Sequence, residues 1–519
     1  MVPERREVRD STQPEPAGPA GSRASVLLAQ AHRSIARCVG PSGHGGLSLC
    51  EMWLMLVHLG APVRTPVARP LEPQMIDQAV SIHRLGAQLR DFIDLDGAAA
   101  LDLSAAFDSR RGTPHLRGHF ALAQHVDGVT YLYRDVCGVN KLFYVRREDG
   151  GVWWSNYWRD LARACGNPRD IFSIPAGHIA RLSPGKVTEL RQRDALPYGA
   201  DRDVSNEELV ELGARARATL VETFKSIRRW STGQPIYLTL SGGLDSTGIA
   251  VLAREHLGPF TAVTFAVASA ADPNGERSED LHAARQVASE LGVALHEVRF
   301  TPEQLLSDLD SALVLGQDWR EFNVHCAMVN VALARAISAH HRASGEVARP
   351  LLLTGDGGNE LMIEYSPVVY QEKSYYGLPR VPAGRLRELL VEGLDAGDRE
   401  VGVYGHFGID CVQPYILAAD AYTQFPAGLL ERPGARRTLV EAIFGDRIPS
   451  FVYDRRKTRA QEGSLSQGGT LSVCVDAGMD AVALRARFAA LLELPANEFS
   501  RLIWGGRYRH ELGATAVLK

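Results

Sequence analysis

Between Tyr237 and Ala250 the chain reads YLTLSGGLDSTGIA, and six consecutive residues of that stretch could do chemistry: Ser241, Gly242, Gly243, Leu244, Asp245 and Ser246. An apolar run, Ile236 to Leu240, precedes them, and apolar residues at helical spacing (Ile249, Val251, Leu252) follow. A strand that ends in a glycine-rich turn and feeds a helix leaves unpaired backbone N–H groups and a positive dipole end aimed at one spot, which suits a phosphate. The two glycines let the backbone come close to it. Asp245 has the wrong charge for a phosphate contact, so it is better placed to hold a divalent cation that in turn holds the phosphates. The stretch therefore predicts magnesium as well as nucleotide.

A second stretch, LLLTGDGGNEL (Leu351 to Leu361), has the same form: a buried apolar strand, then a Gly-rich turn with Asp356, Asn359 and Glu360. Two such loops at the carboxyl edge of one parallel sheet open onto a single crevice. The elements needed to position them are readable from Asn206 onward, where long helices alternate with apolar strands. That pattern predicts a parallel sheet covered on both faces. Its strands are expected at Ile236 to Leu240, Phe260 to Val267, Ala294 to Phe300 and Pro350 to Thr354. Its helices are expected at Ser246 to Glu255, Glu279 to Leu291, Thr301 to Leu315 and Asn323 to His340. Thr301, Pro302 and Gln304 form a capping-box start with Pro at the first helical position.

The rest of the chain bounds the answer. Its 519 residues suggest two to three domains with ample core, and 45% hydrophobic with 23% charged residues is ordinary for a globular protein. A net charge of −4 gives no basic field for a nucleic acid. No apolar run of membrane-spanning length and no apolar signal core at the N-terminus are seen, so a cytoplasmic protein is expected, with no membrane partner; a homodimer is left open. Residues 1 to 24, rich in charge, Pro and Gly, read as a disordered tail. Residues 25 to 200 read as a mixed domain of many short strands, and a polar linker from Arg191–Asp194 to Asn206 leads into the domain at 206 to 519. Seven scattered cysteines (Cys38, Cys50, Cys137, Cys165, Cys326, Cys411, Cys474) show no metal or redox spacing and read as buried small hydrophobes. Cys326 and Cys411 fall near the expected site. His115, His119 and His125 lie close together in a strand-like context and read as surface or core residues.

SGGLDS after a strand resembles the pyrophosphate loop of ATP pyrophosphatases, which split ATP to AMP and pyrophosphate, and differs from Walker and dinucleotide loops. Four earlier pieces resemble, in order, the glutaminase domain of asparagine synthetases: Leu116 to Ala123, Tyr133 to Tyr144 (with Arg134, Asp135 and Gly138), Trp153 to Ala162 and Ile174 to Gly185. The resemblance implies an α+β Ntn-hydrolase-like domain of antiparallel sheets, followed by a doubly wound α/β parallel-sheet ATP-pyrophosphatase (adenine nucleotide α-hydrolase-like) domain. Glutaminases of that class use an N-terminal cysteine exposed after Met1 is removed. Here residue 2 is Val, so the first domain is expected to be a scaffold that does not hydrolyse glutamine.

The same resemblance implies residue roles. Leu240 to Ser246 bind ATP, the end of the strand VTFAV (Phe265, Val267) contacts adenine, and Thr354 and Gly355 border the nucleotide. Glu279, Asp280, Gly292, His296 and Glu297 resemble the following acidic helix start and strand. Asp356 stands where the family helps the amine attack, and Asn359 replaces a magnesium-binding aspartate, leaving an uncharged oxygen that Glu360 can supplement beside Asp245. In KTRAQEGS, after Arg455 and Arg456, Lys457 with Glu462 resembles the segment that brings a lysine to the pyrophosphate, where an ammonium neutralises developing charge. REVGV (Arg399 to Val403), with His406, Asp410, Pro414 and Tyr415, resembles the substrate side. β-Lactam synthetases rely on a tyrosine in a base dyad; Asp356 in that loop does not support this, and Tyr365 and Tyr370 are left unplaced.

The expectation is thus an ATP- and Mg2+-dependent, AMP-forming carbon–nitrogen ligase. It activates a small-molecule or peptide carboxylate as an acyl-adenylate and couples it to an amine, without glutamine, in secondary-metabolite (antibiotic) biosynthesis. Lasso-peptide-type macrolactam closure, β-lactam-type ring closure, amidation with ammonia and a non-catalytic ATP-binding homologue are the alternatives. An ATP pyrophosphatase acting on tRNA is disfavoured by the missing basic patch, paired cysteines and zinc motif.

Overall fold

The computed structural model describes residues 82–87, 89–93, 101–109, 116–185, 188–200, 202–270, 272–365, 367–432, 434–455, 469–504 and 507–511, all within one compact unit, Gln78–Lys519. The expected tail at 1 to 24 and the residues Lys457 and Glu462 lie outside the described residues.

The first part of the unit holds two four-stranded sheets. One contains β1 (Ile82–Arg84), β4 (Phe143–Arg146), β5 (Val152–Ser155) and β6 (Ile171–Ser173) in the order β1-β5-β4-β6. The other contains β2 (Ala121–Val126), β3 (Val129–Arg134), β7 (His178–Leu182) and β8 (Glu189–Gln192) in the order β8-β7-β3-β2. Alternate residues of both sheets share one core, with Leu132, Ala180 and Leu182 packed with Tyr144, Val152 and Trp154. The expectation of antiparallel sheets needs one correction: β1 runs parallel to β5, while every other pair in these two sheets is antiparallel. His119 is a core residue, its ring lowered to about 3 by burial, and His125 meets Thr130 at 3.0 Å.

The second part is built on β9 (Ile236–Thr239), β10 (Thr261–Val267), β11 (Ala294–Phe300), β12 (Leu351–Leu353) and β13 (Asp410–Val412). All are parallel, in the order β11-β10-β9-β12-β13. The chain starts in the middle, winds to one edge, then returns to the other side of β9. The order therefore reverses between β9 and β12, and a crevice opens where their following loops diverge. Both Gly-rich stretches sit there.

Helices cover the sheet: α1 (Asn206–Trp230), α2 (Leu244–His256), α3 (Glu279–Leu291), α4 (Pro302–Ser307), α5 (Leu309–Gly316), α6 (Glu321–Ala343), α7 (Gly358–Met362), α8 (Val401–His406) and α9 (Ala435–Phe444). Ser205 caps α1 by accepting from Glu208 N, and Ser278 caps α3 through Leu281 N. The capping box at Thr301 and Gln304 is present. The single helix expected at Thr301 to Leu315 is instead two, because Asp308 closes α4 on Leu305 and opens α5, and its carboxylate pairs with Arg335 of α6. α6 is long and apolar enough to cross a membrane by length and composition, which no apolar run was expected to be. It is a core helix, with 61% of its most apolar window buried inside the protein.

Candidate active site

The turn after β9 is shaped by Gly242, at φ +71°, where an added Cβ would lie 2.5 Å from Ala283 Cβ and 2.8 Å from Ala284 N of α3. Only glycine fits so close to that helix in that conformation. Gly243 then caps α2 with no side-chain acceptor, so the first N–H groups of a 13-residue helix lack a side-chain partner. Ser241 and Ser246 brace the turn: their hydroxyls are 3.1 Å apart, and Gly243 N donates to Ser241 Oγ at 3.3 Å. From the far side, Arg455 donates to Ser241 O (2.9 Å) and pairs with Asp280, whose carboxyl burial raises to about 6 against the pull of Arg455.

Asp245, in the first turn of α2, pairs through Oδ2 with Arg436 of α9, and Arg436 also pairs with Glu364. Arg436 is only 8% exposed. Across the crevice, Arg399 holds Asp356 and Glu360 at 2.6 Å each and stands over the Phe322 ring at 5.2 Å. Its own backbone is fixed by Asn330, which donates to Arg399 O at 2.7 Å. Tyr365 donates its hydroxyl to Glu360, and burial with Glu360 beside it pushes that phenol far up. Burial raises the Asp356 carboxyl; for Glu360, Arg399 and Tyr365 outweigh burial and lower it. Glu400 accepts from Thr354 Oγ1 (2.6 Å) and Gln413 Nε2 (2.8 Å), yet burial and the nearby Asp356 raise it to about 8.

The two loops face one cavity of about 510 Å³. Of the residues expected in the site, Leu240, Ser241, Gly243, Leu244, Asp245, Ser246, Phe265, Gly355, Asp356 and Asn359 line it. Gly242 shapes the turn from behind. Three more of the expected residues do not line the cavity. Val267 is buried beyond the cavity at the end of β10, Thr354 is buried and orients Glu400, and Glu360 sits behind Asp356 as a partner of Arg399. His406 packs edge-on against Tyr157, with ring centroids 6.3 Å apart, and Asp410 opens β13 at the opposite end of the sheet, paired with Arg90 (3.2 Å) and Arg349 (2.8 Å). Neither lies in the cavity wall. Tyr415 donates to Asp245 O at 3.1 Å, and Tyr370 bonds Asp476.

Sequence reasoning missed Arg436, Glu364 and Asn330, and gave Glu400 no individual role; all four are in the cavity wall. Glu400 lies inside the stretch REVGV that resembles the substrate side, without a role of its own read from it, and Arg436 follows a lone glycine with no motif around it.

Asp245 Oδ1 and Glu360 Oε2 are buried oxygens without a hydrogen-bond partner. Hard carboxylate oxygens of this kind suit magnesium, which takes one or two from protein and the rest from phosphates and water. Among the described residues no group of three or more His, Cys, Asp or Glu is arranged to hold a metal by itself.

Residues 217–397 match the family described as asparagine synthase. Carboxyethyl-arginine beta-lactam-synthase from Streptomyces clavuligerus is 23% identical over 69% of this chain and 64% of its own length. These matches make residues 217–397 similar to the asparagine synthase family and support a relation of the chain to asparagine and β-lactam synthetases. Glutamine-hydrolyzing asparagine synthetase 2 from Arabidopsis thaliana is 26% identical over 45% of this chain and 37% of its own length. The chain thus spans less than two thirds of the length of these relatives. Among solved structures, an NMN synthetase from Francisella tularensis aligns with 56% of this chain and 94% of its own, at 14% identity and a TM-score of 0.26. At that value the doubly wound reading rests on the sheet order itself.

Proposed function

We propose that this protein is an ATP-dependent, AMP-forming carbon–nitrogen ligase. A substrate carboxylate attacks the α-phosphate of ATP, giving an acyl-adenylate and pyrophosphate; an amine then attacks the acyl carbon and AMP leaves as the amide forms. The observation that carries this reading is the shared cavity, with a helix N-terminus and Asp245 on one wall and Asp356, Arg399 and Glu400 on the other. The turn at Ser241 to Ser246 binds the phosphates and Asp245 their magnesium. Bound magnesium would offset the charge that develops on the departing pyrophosphate, and Lys457 of the segment with Glu462 would add to this. Asp356 lies beside the incoming amine, and Glu400, ionised above about pH 8, takes its proton.

The amine belongs to the substrate or to a second substrate, not to glutamine. In support, every described cysteine thiol is pushed upward by burial, Cys326 in the cavity wall to about 12, the reverse of an activated nucleophile. The two sheets at β1 to β8 are then a glutaminase-like layer without its reaction. Likeness to a β-lactam synthase favours ring closure in secondary metabolism, with Asp356 in place of a tyrosine and Tyr365 held neutral. A second reading, nucleotide binding without turnover, is favoured by the Arg436 pair that neutralises Asp245.

Pyrophosphate release from ATP and Mg2+, across a panel of amino-carboxylates and peptides with and without glutamine, separates these readings. Release that depends on one substrate, needs no glutamine and vanishes in Asp245→Ala supports the ligase. Dependence on glutamine overturns the nitrogen assignment, and ATP binding with silence across the panel supports the second reading.

A further inference from the structure

Lys141 lies between β3 and β4, in the first part of the molecule, and has no place in the reaction above. It is 3% exposed. Its Nζ donates to Gly138 O at 2.8 Å and to Leu394 O at 2.6 Å. Burial lowers it to about 8, with Arg134 adding to the effect and Asp398, Asp395 and Asp135 opposing it. Arg134, equally buried, is anchored in its own layer by Asn140 O (2.9 Å) and Ile174 O (2.7 Å), and reaches across to Asp395 through Oδ1 (2.6 Å) and its carbonyl (3.3 Å). Two buried cations from the N-terminal sheets therefore grip the backbone at 394 and 395.

That backbone leads directly into the site. Asp398 N donates to Gly316 O at 2.6 Å, and the Asp398 carboxylate accepts from Glu400 N (2.9 Å) and Gly402 N (2.6 Å). Burial raises the Asp398 carboxyl, and Lys141 is the chief charge opposing the rise. Arg399 and Glu400 come next, with their side chains in the large cavity. A second, small cavity of about 40 Å³ is walled by Val139 and Lys141 together with Asp356, Arg399 and Glu400. An ammonium is among the most expensive groups to bury, and apolar side chains would join the two layers at less cost. What a cation adds is directed hydrogen bonds to carbonyls, which fix the path of a loop rather than merely cover it.

We infer that Lys141 is a positioning residue for the amide-forming site: with Arg134 it fixes residues 394–400 so that Arg399 and Glu400 meet Asp356. The N-terminal sheets thereby hold one wall of the reaction chamber. The effect on turnover rests on the ligase reading; the effect on the loop does not.

The test uses the full chain with Lys141→Met and with Lys141→Gln, which keeps a donor. Hydrogen exchange is followed in peptides covering 394–402 and 237–250, alongside a titration with Mg·ATP and turnover of whichever substrate the pyrophosphate panel yields. Lys141→Met is expected to speed exchange at Glu400 and Gly402 by about tenfold or more while 237–250 stays protected. Affinity for Mg·ATP and the KM for ATP are expected to hold, kcat to fall by about tenfold, and Lys141→Gln to recover part of both losses. Unchanged exchange at Glu400 and Gly402 overturns the inference. So does an equal rise in 237–250, which would make Lys141 an ordinary core residue. If no substrate turns over with the wild-type protein, the ligase reading fails while the exchange pattern still decides the role of Lys141.

Discussion

The raised carboxyl of Glu400 makes a signed prediction that needs no substrate. The group is 8% exposed, and burial together with Asp356 lifts it from 4.5 to about 8 despite the hydrogen bonds from Gln413 and Thr354. In the unfolded chain it ionises near its ordinary value. Between about pH 4.5 and pH 8 the native state therefore keeps a proton that the unfolded state has released, and stability falls as pH rises through this window. The slope from this one group is about 1.4 kcal/mol per pH unit, and the total about 5 kcal/mol by the top of the window. Asp356 shares the field, so part of that total belongs to the pair. Glu400→Gln reproduces the shape and acceptor oxygen of the protonated form and cannot ionise. Urea midpoints of wild type and variant, taken at intervals between about pH 5 and pH 8, are expected to diverge in favour of the variant as pH rises. Parallel profiles would refute the reasoning, because they would mean that Glu400 is ionised in the native protein throughout. With a substrate in hand, the wild-type rate is expected to rise with pH through a half-maximal point near pH 8 towards a plateau above it, as Glu400 becomes able to accept a proton, and the variant to lack this limb.

Two further outcomes follow from the phosphate turn. Gly242→Ala forces a Cβ within 2.5 Å of Ala283 at a left-handed backbone position, so the turn must move away from α3; ATP affinity by calorimetric titration is expected to drop by about tenfold or more, with a lower melting temperature. Asp245→Asn removes the charged oxygen for magnesium and the partner of Arg436, and is expected to abolish the dependence of ATP binding on Mg2+ concentration; a variant that still binds ATP more tightly as Mg2+ is raised would place the cation elsewhere.

Much of this protein is local and so was determined by the sequence alone. The strands Ala294–Phe300 and Thr261–Val267, the helix Glu279–Leu291 and the capping box at Thr301 follow from patterns that repeat within a few residues. So does the glycine-rich turn after β9, since a strand, two glycines and a helix start carry their own geometry. The alternation of strand and helix even placed both Gly-rich loops at one sheet edge. What the tertiary structure decided is which distant charge meets which. Arg436 reaches Asp245 across 191 residues, Arg399 reaches Asp356 across 43, and Lys141 reaches Leu394 across 253. Nothing in an arginine or a lysine names its partner; that choice comes from the packing of helices on a sheet whose order reverses at its centre. The same packing turned the Thr354 hydroxyl away from the cavity and onto Glu400, at the start of α8, because a buried hydroxyl must find an acceptor within reach.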